Sequence, residues 1–206
     1  MNGAGALLPS ADANVASGAL SRPLHAWCTA MSPVSGVVLL SHGLDSGPDA
    51  AKTGALAVVA EDLGWTARRL DYRDLDMHGM ADAAEPRIQR LVDAIPGDGT
   101  PCVLAGSSFG AFTSGRASIQ RAVHGLFLMA TPPRIPGFPQ PFAMREGART
   151  CFVHGWHDAL CPVDAAIAFA RGHRSDMLLL DDDHRLANHV AAIAHHFGWF
   201  LSHIVA

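Results

Sequence analysis

The chain has 206 residues, of which 49% are apolar and 17% charged, with 20 Gly and 13 Pro. At about 150 residues per domain this length suits one core better than two, and the composition is neither that of a disordered chain nor that of a coiled coil. Its 15 Lys and Arg against 19 Asp and Glu give a formal net charge of −4 at pH 7. No basic field exists to gather phosphates, which argues against nucleic acid as a partner.

Residues 1–22 are rich in Ala, Gly, Ser and Asn without a sustained period and read as a tail ahead of a single domain over 23–206. They lack a basic stretch followed by a continuous apolar one, so no secretory signal is expected. No apolar run approaches the ~18 residues that a membrane span requires. The four cysteines, at 28, 102, 151 and 161, form no Cys-x-x-Cys pair, and Cys102 and Cys151 sit in apolar runs as core residues would. That pattern suits a reducing, cytoplasmic setting.

Residues 24–30 read as a short edge strand. From Val34 onward, short β-branched or apolar runs alternate with stretches of helical period, the signature of a parallel α/β sheet. Strands are predicted at 36–41, 67–72, 102–106, 125–130, 150–154 and 177–180. They read as nearly continuous apolar runs, as expected of strands covered on both faces. Helices are predicted at 49–63, 81–95, 109–123, 163–171 and 186–204. The last carries Ile193, Phe197, Phe200, Leu201 and Ile204 at helical spacing, which predicts an amphipathic closing helix against the sheet. Six strands and five helices in alternation make a doubly wound sheet. Between the fourth and fifth strands, Pro132, Pro133, Pro136, Pro139 and Pro141 exclude a regular helix over most of the segment, hence a large helical lid. Phe138 and Phe142 on this loop are expected to wall a site.

The sharpest local signal is Gly106-Ser107-Ser108-Phe109-Gly110, directly after the third strand and directly before a helix. In a G-x-S-x-G turn the flanking glycines let backbone segments approach without a Cβ clash, and the central Ser108 is presented at the C-terminal edge of the sheet. Ser107 reads as the end of the strand. A serine hydroxyl is a weak nucleophile unless an imidazole takes its proton, and the imidazole needs a carboxylate to fix its tautomer. Asp158 lies in the loop after the fifth strand and His184 in the loop after the sixth, so all three residues fall at one sheet edge. Asp164 is a competing acid, although its place just after Pro162-Val163 suits the first turn of a helix.

Asp181, Asp182 and Asp183 beside His184, with His189, make an acidic cluster that could suggest a metal. No second group of His, Cys or Glu has ligand spacing, so neither a metal nor a cofactor is expected. His195, His196 and His203 read as surface or interface groups, and Lys52 as a solvated or ion-paired side chain of the first helix.

With Ser41-His42-Gly43-Leu44-Asp45-Ser46-Gly47-Pro48 in the first strand–helix loop and the order Ser, Asp, His, the chain from about Gly36 onward resembles an α/β hydrolase. The resemblance is to the small lidless bacterial serine esterases. It implies a minimal α/β-hydrolase fold without a large lid, catalysis by Ser108, Asp158 and His184, and an oxyanion hole from the Leu44 and Phe109 amides. His42 would be a structural histidine that shapes the loop. The expected substrate is a small-molecule ester or thioester with a small or apolar acyl group, bound against Trp156, Phe138 and Leu160. A peptidase or amidase using the same residues, or a hydrolase-fold binding protein, are the alternatives.

Overall fold

The computed structural model describes residues 36–204. The expected tail at 1–22 and the edge strand at 24–30 lie outside the described residues. Within them the elements run β1 (Val37–Ser41), α1 (Ala51–Asp62), β2 (Thr66–Leu70), α2 (Arg73–Asp76), α3 (Met80–Ala94), β3 (Cys102–Ser107), α4 (Phe109–Gln120), β4 (Gly125–Met129), β5 (Arg149–Gly155), α5 (Val163–His173), β6 (Asp176–Leu180) and α6 (Val190–Ser202). All pairings are parallel, in the order β2-β1-β3-β4-β5-β6.

The four central strands of this parallel sheet are covered on both faces, and two apolar layers result, whereas the edge strand β2 (TARRL) exposes Thr66, Arg68 and Arg69 and is not the apolar run expected of it. Leu39, Leu104, Leu126, Leu128 and Phe152 pack under α3, α4 and α5. Val38, Leu40, Val103, Ala105, Phe127, Met129 and Val153 pack under α1 and α6. Of the stripe expected on the closing helix, Ile193, Phe197, Phe200 and Leu201 are buried on α6, with Phe197 and Phe200 ring centroids 4.9 and 5.5 Å from that of Phe127, whereas Ile204 lies beyond the helix end. Each such fully buried ring contributes about 1.5–3 kcal/mol relative to leaving it exposed.

Several boundaries differ from the periodicity. The closing helix does not start at 186: Leu186 is buried with φ 54°, a single 3₁₀ turn follows at Ala187–His189, and α6 begins at Val190. α4 stops at Gln120 because Arg121 is extended. α2, a single turn, carries no period of its own and was not expected. The proline-rich segment between β4 and β5 holds neither helix nor strand.

The chain leaves β1 toward β2 on one side and returns to β3 on the other, so the order reverses between β1 and β3. In such sheets the crevice outside the carboxyl ends of these two strands is where ligands bind. Ser41 pairs with Gly106 in register there, which sets the loop after β1 beside the turn after β3. Among the described residues no helix is long and apolar enough to cross a membrane.

Candidate active site

Ser108 occupies the turn between β3 and α4 with φ 53° and ψ −118°, a conformation L-residues rarely adopt, costing on the order of 1–3 kcal/mol. Its amide donates to Met129 O at 2.8 Å, which ties the turn to β4. The two glycines are required by close approach. A Cβ on Gly106 would stand 2.3 Å from Gly110 O, and one on Gly110 would stand 2.2 Å from Ser41 O. Ser107 ends β3 and is buried, with no part in the hydrogen-bonded chain that follows.

That chain is complete. The Ser108 hydroxyl lies 2.9 Å from His184 Nε2, and His184 Nδ1 lies 2.8 Å from Asp158 Oδ2. With Nδ1–H donating to the carboxylate, Nε2 is left to accept the Ser108 proton. Asp158 is buried, and its other oxygen accepts the Leu160 and Cys161 amides at 2.9 and 2.8 Å. His154, a buried residue of β5 to which the sequence assigned no role, places Nε2 2.7 Å from Cys161 O and 3.2 Å from Asp158 Oδ2. Its N–H donates to that carbonyl, with the carboxylate beside it. Asp164 sits exposed in the first turn of α5, as its place after Pro162-Val163 suggested.

The three aspartates beside His184 do not converge on one point. Asp181 pairs with His157 at 2.7 Å in solvent, and Asp183 accepts the Arg185 amide at 2.8 Å. Asp182 accepts His189 Nδ1–H at 2.9 Å and the amides of Asn188 and Asp183. Burial opposes its charge, yet the hydrogen bonds from His189, Asp183 and Asn188 win and hold its carboxyl below the usual range. The loop is thereby pinned on both sides of His184. Lys52 adds to this: its ammonium donates to Arg185 O, and burial pushes it below the ordinary lysine range. Among the described residues the one group with metal-ligand proximity is Asp158, Cys161 and His184, with ligand atoms within 4.8 Å of one another. The Cys161 thiol is pushed up to about 12, first by burial and then by Asp158, so it stays protonated.

The loop after β1 crosses directly over the turn, with Gly43 so placed that an added Cβ would lie 3.6 Å from Ser108 Cβ. His42 is buried. Its Nδ1–H donates to Gly43 O at 2.7 Å, and its Nε2 accepts the Tyr72 amide at 3.1 Å. Burial holds it neutral by lowering its pKa, the form these two bonds require. Phe109 is the first residue of α4, so its amide has no acceptor within the helix. Leu44 follows Gly43 at the loop's turn.

An apolar cavity of about 40 Å³ lies on the same sheet edge, lined among others by Thr131, Phe142, Pro162, Ala166 and Phe169. Thr131 Oγ1 is buried there without a hydrogen-bond partner among the described residues. Of the residues expected to bind substrate, Trp156 and Leu160 stand on the Asp158 loop, 51% and 74% exposed. Phe138 turns edge-on to Phe112, ring centroids 5.9 Å apart, rather than into the cavity. Phe142, its companion on the loop, is the ring that faces the cavity.

A structure of a protein from Xanthomonas campestris pv. campestris, assigned to the hydrolases of the alpha/beta superfamily, superposes with a TM-score of 0.76 at 41% identity, over 81% of this chain and 98% of that one. The chain belongs to the α/β-hydrolase superfamily. An alpha-beta serine hydrolase homologue from Coxiella burnetii shares the fold at 20% identity and TM-score 0.63, covering 82% of this chain and 86% of that one. So does a lidless α/β serine hydrolase from Xanthomonas campestris, at 18% identity and TM-score 0.60 over 85% and 84%. No protein-family model and no curated protein sequence matches the chain.

Proposed function

We propose that this α/β hydrolase is a serine hydrolase that cleaves carboxylic esters or thioesters of small acyl groups through an acyl-enzyme. The observation that carries the reading is the unbroken chain of hydrogen bonds from Ser108 Oγ through His184 to the buried Asp158 carboxylate. In the first half-reaction Ser108 Oγ attacks the acyl carbon while its proton passes to His184 Nε2. The Asp158 carboxylate holds the imidazolium through Nδ1–H. The Leu44 and Phe109 amides receive the negative charge on the carbonyl oxygen, each worth on the order of 3 kcal/mol in such sites. Collapse expels the alkoxide or thiolate, which takes the proton back from Nε2. A water then repeats the sequence on the acyl-serine and releases the acid.

The cavity supports a short acyl group. Its volume of about 40 Å³ exceeds what one water needs and is small enough to suit a short acyl chain better than a long one. In this reading Trp156 and Leu160, exposed on the Asp158 loop, would touch the alcohol or thiol side of the substrate. The test is a panel of p-nitrophenyl and thiol esters graded from acetyl to decanoyl, run with wild type and Ser108→Ala. The reading requires turnover that peaks at two to four carbons and vanishes in the variant. Cleavage of peptide amides at rates rivalling the esters would favour a peptidase. Tight ligand binding without turnover would favour a binding protein.

A further inference from the structure

Arg87 is a fully buried arginine on α3. Its side chain is spent entirely within the fold. Nε donates to Asp76 Oδ1 at 2.7 Å and one terminal nitrogen donates to Asp76 Oδ2, a two-pronged ion pair to the end of α2. The other terminal nitrogen donates to His42 O at 3.0 Å, and the first also reaches Gly43 O at 3.5 Å. The guanidinium carbon lies 4.3 Å from the Phe109 ring centroid and 4.6 Å from that of Tyr72, so the cation sits between two rings.

The placement of these contacts is specific to the reaction proposed above. Gly43 O and Leu44 N–H belong to one peptide unit, and no cis peptide occurs in the described chain. In a trans peptide the two groups point in opposite directions. Whatever holds the Gly43 carbonyl toward Arg87 and His42 therefore aims the Leu44 N–H away from them. Phe109, whose amide is the other oxyanion donor, rests its ring on the same cation. One guanidinium thus contacts both segments that supply the hole.

We propose that the Arg87–Asp76 pair is a positioning device for the oxyanion hole, setting the orientation of the Gly43–Leu44 peptide against the start of α4. This rests on the reading of Leu44 and Phe109 as oxyanion donors. A buried ion pair is a weak source of stability, since well-packed apolar residues of similar volume often replace one at no loss. A methionine at 87 could fill the space but could hold neither carbonyl. The planar fork, with donors in several directions at once, is what a lysine also lacks.

The test uses Arg87→Lys and Asp76→Asn, with active sites counted by fluorophosphonate titration carried to completion and kcat expressed per titrated site. Deleting one oxyanion donor outright costs about 10²–10³ in kcat in such sites, so misaiming one is expected to cost ten- to a hundredfold. KM should stay within about threefold, because the ground-state carbonyl gains little from the hole. Affinity for a trifluoromethyl ketone, whose hemiketal oxygen occupies the hole, should fall by the same factor as kcat. A purely structural pair would lower the melting temperature and the titratable fraction while leaving kcat per site and ketone affinity intact. That result in either variant overturns the proposal. Turnover surviving in Ser108→Ala would instead defeat the hydrolase reading itself, so the two failures are distinguishable.

Discussion

His154 Nε2 lies 3.2 Å from Asp158 Oδ2, four residues further along the chain, on the oxygen that also receives His184 Nδ1–H. Two imidazoles therefore converge on one carboxylate oxygen, while two backbone amides hold the other. A buried carboxylate that accepts from His184 and from two backbone amides is a fixed point, and it is the one that faces His184 Nδ1. Asp158→Asn should cut ester turnover by about 10³–10⁴ at neutral pH, since an amide offers the imidazole the wrong partner. Asp164→Asn, exposed on the first turn of α5, should stay within twofold of wild type. Steady-state rates for the two variants decide the acid, and a severe defect in Asp164→Asn with a near-normal Asp158→Asn would reverse the assignment.

His42 predicts how stability depends on pH. The unfolded chain takes up a proton at this histidine as pH falls through about 6.5, whereas burial keeps the folded residue neutral to lower pH. The unfolded state then binds more protons, so stability should fall as pH drops below about 6.5. His196, also lowered by burial, acts with the same sign, so the comparison must isolate residue 42. In His42→Asn the melting temperature should be lower at pH 7.5, and its decline from pH 6.5 to 5 should be shallower than in wild type. Parallel melting curves over that window would contradict the account.

The cavity predicts acyl-chain selectivity. Ala166 is buried and lines it, so Ala166→Leu would fill about the space that a butyryl tail needs. One methylene in such a pocket is worth roughly 1–3 kcal/mol, so kcat/KM for a butyrate ester should fall at least tenfold more than for the acetate ester. An equal effect on both would place the acyl group elsewhere.

The acidic loop predicts indifference to chelators. Asp181, Asp182 and Asp183 are committed to His157, to the amides and imidazole that pin the loop, and to the Arg185 amide. Prolonged EDTA treatment should leave ester turnover unchanged. Loss of activity restored by a divalent ion would transfer the chemistry from Ser108 to a metal.

How much of this was legible in the sequence follows from how local each feature is. β3 and β4 read correctly because a strand buried on both faces needs a continuous apolar run, and CVLAGS and GLFLM are such runs. The juxtaposition of Ser108, Asp158 and His184 was legible because Ser108 directly follows β3 while Asp158 and His184 stand in the loops after β5 and β6, so reading the strands locates all three at one edge. Arg87 was missed, although a signal existed: it stands in the stripe Ala83, Ala84, Arg87, Ile88, Leu91, Val92, the buried face of α3. A charge on an apolar stripe implies a buried partner. Which partner it is depends on Asp76 and His42, 11 and 45 residues away, joined only by packing. Phe138 and Phe142 could not be told apart for a related reason. Their loop has no period, and the turn of Phe142 toward the cavity goes with its amide's bond to Pro133 O.

The central claim is that Ser108 Oγ forms a covalent bond to the acyl group, and acid-quenched mass spectrometry tests it most directly. Mixing the protein with excess p-nitrophenyl butyrate, quenching within the first turnovers and digesting should give a butyryl increment on the peptide containing Ser108, absent from Ser108→Ala and present in Ser107→Ala. Full turnover with no acylated peptide at any quench time, or a butyryl group on Ser107 or Cys161 in its place, would contradict the account.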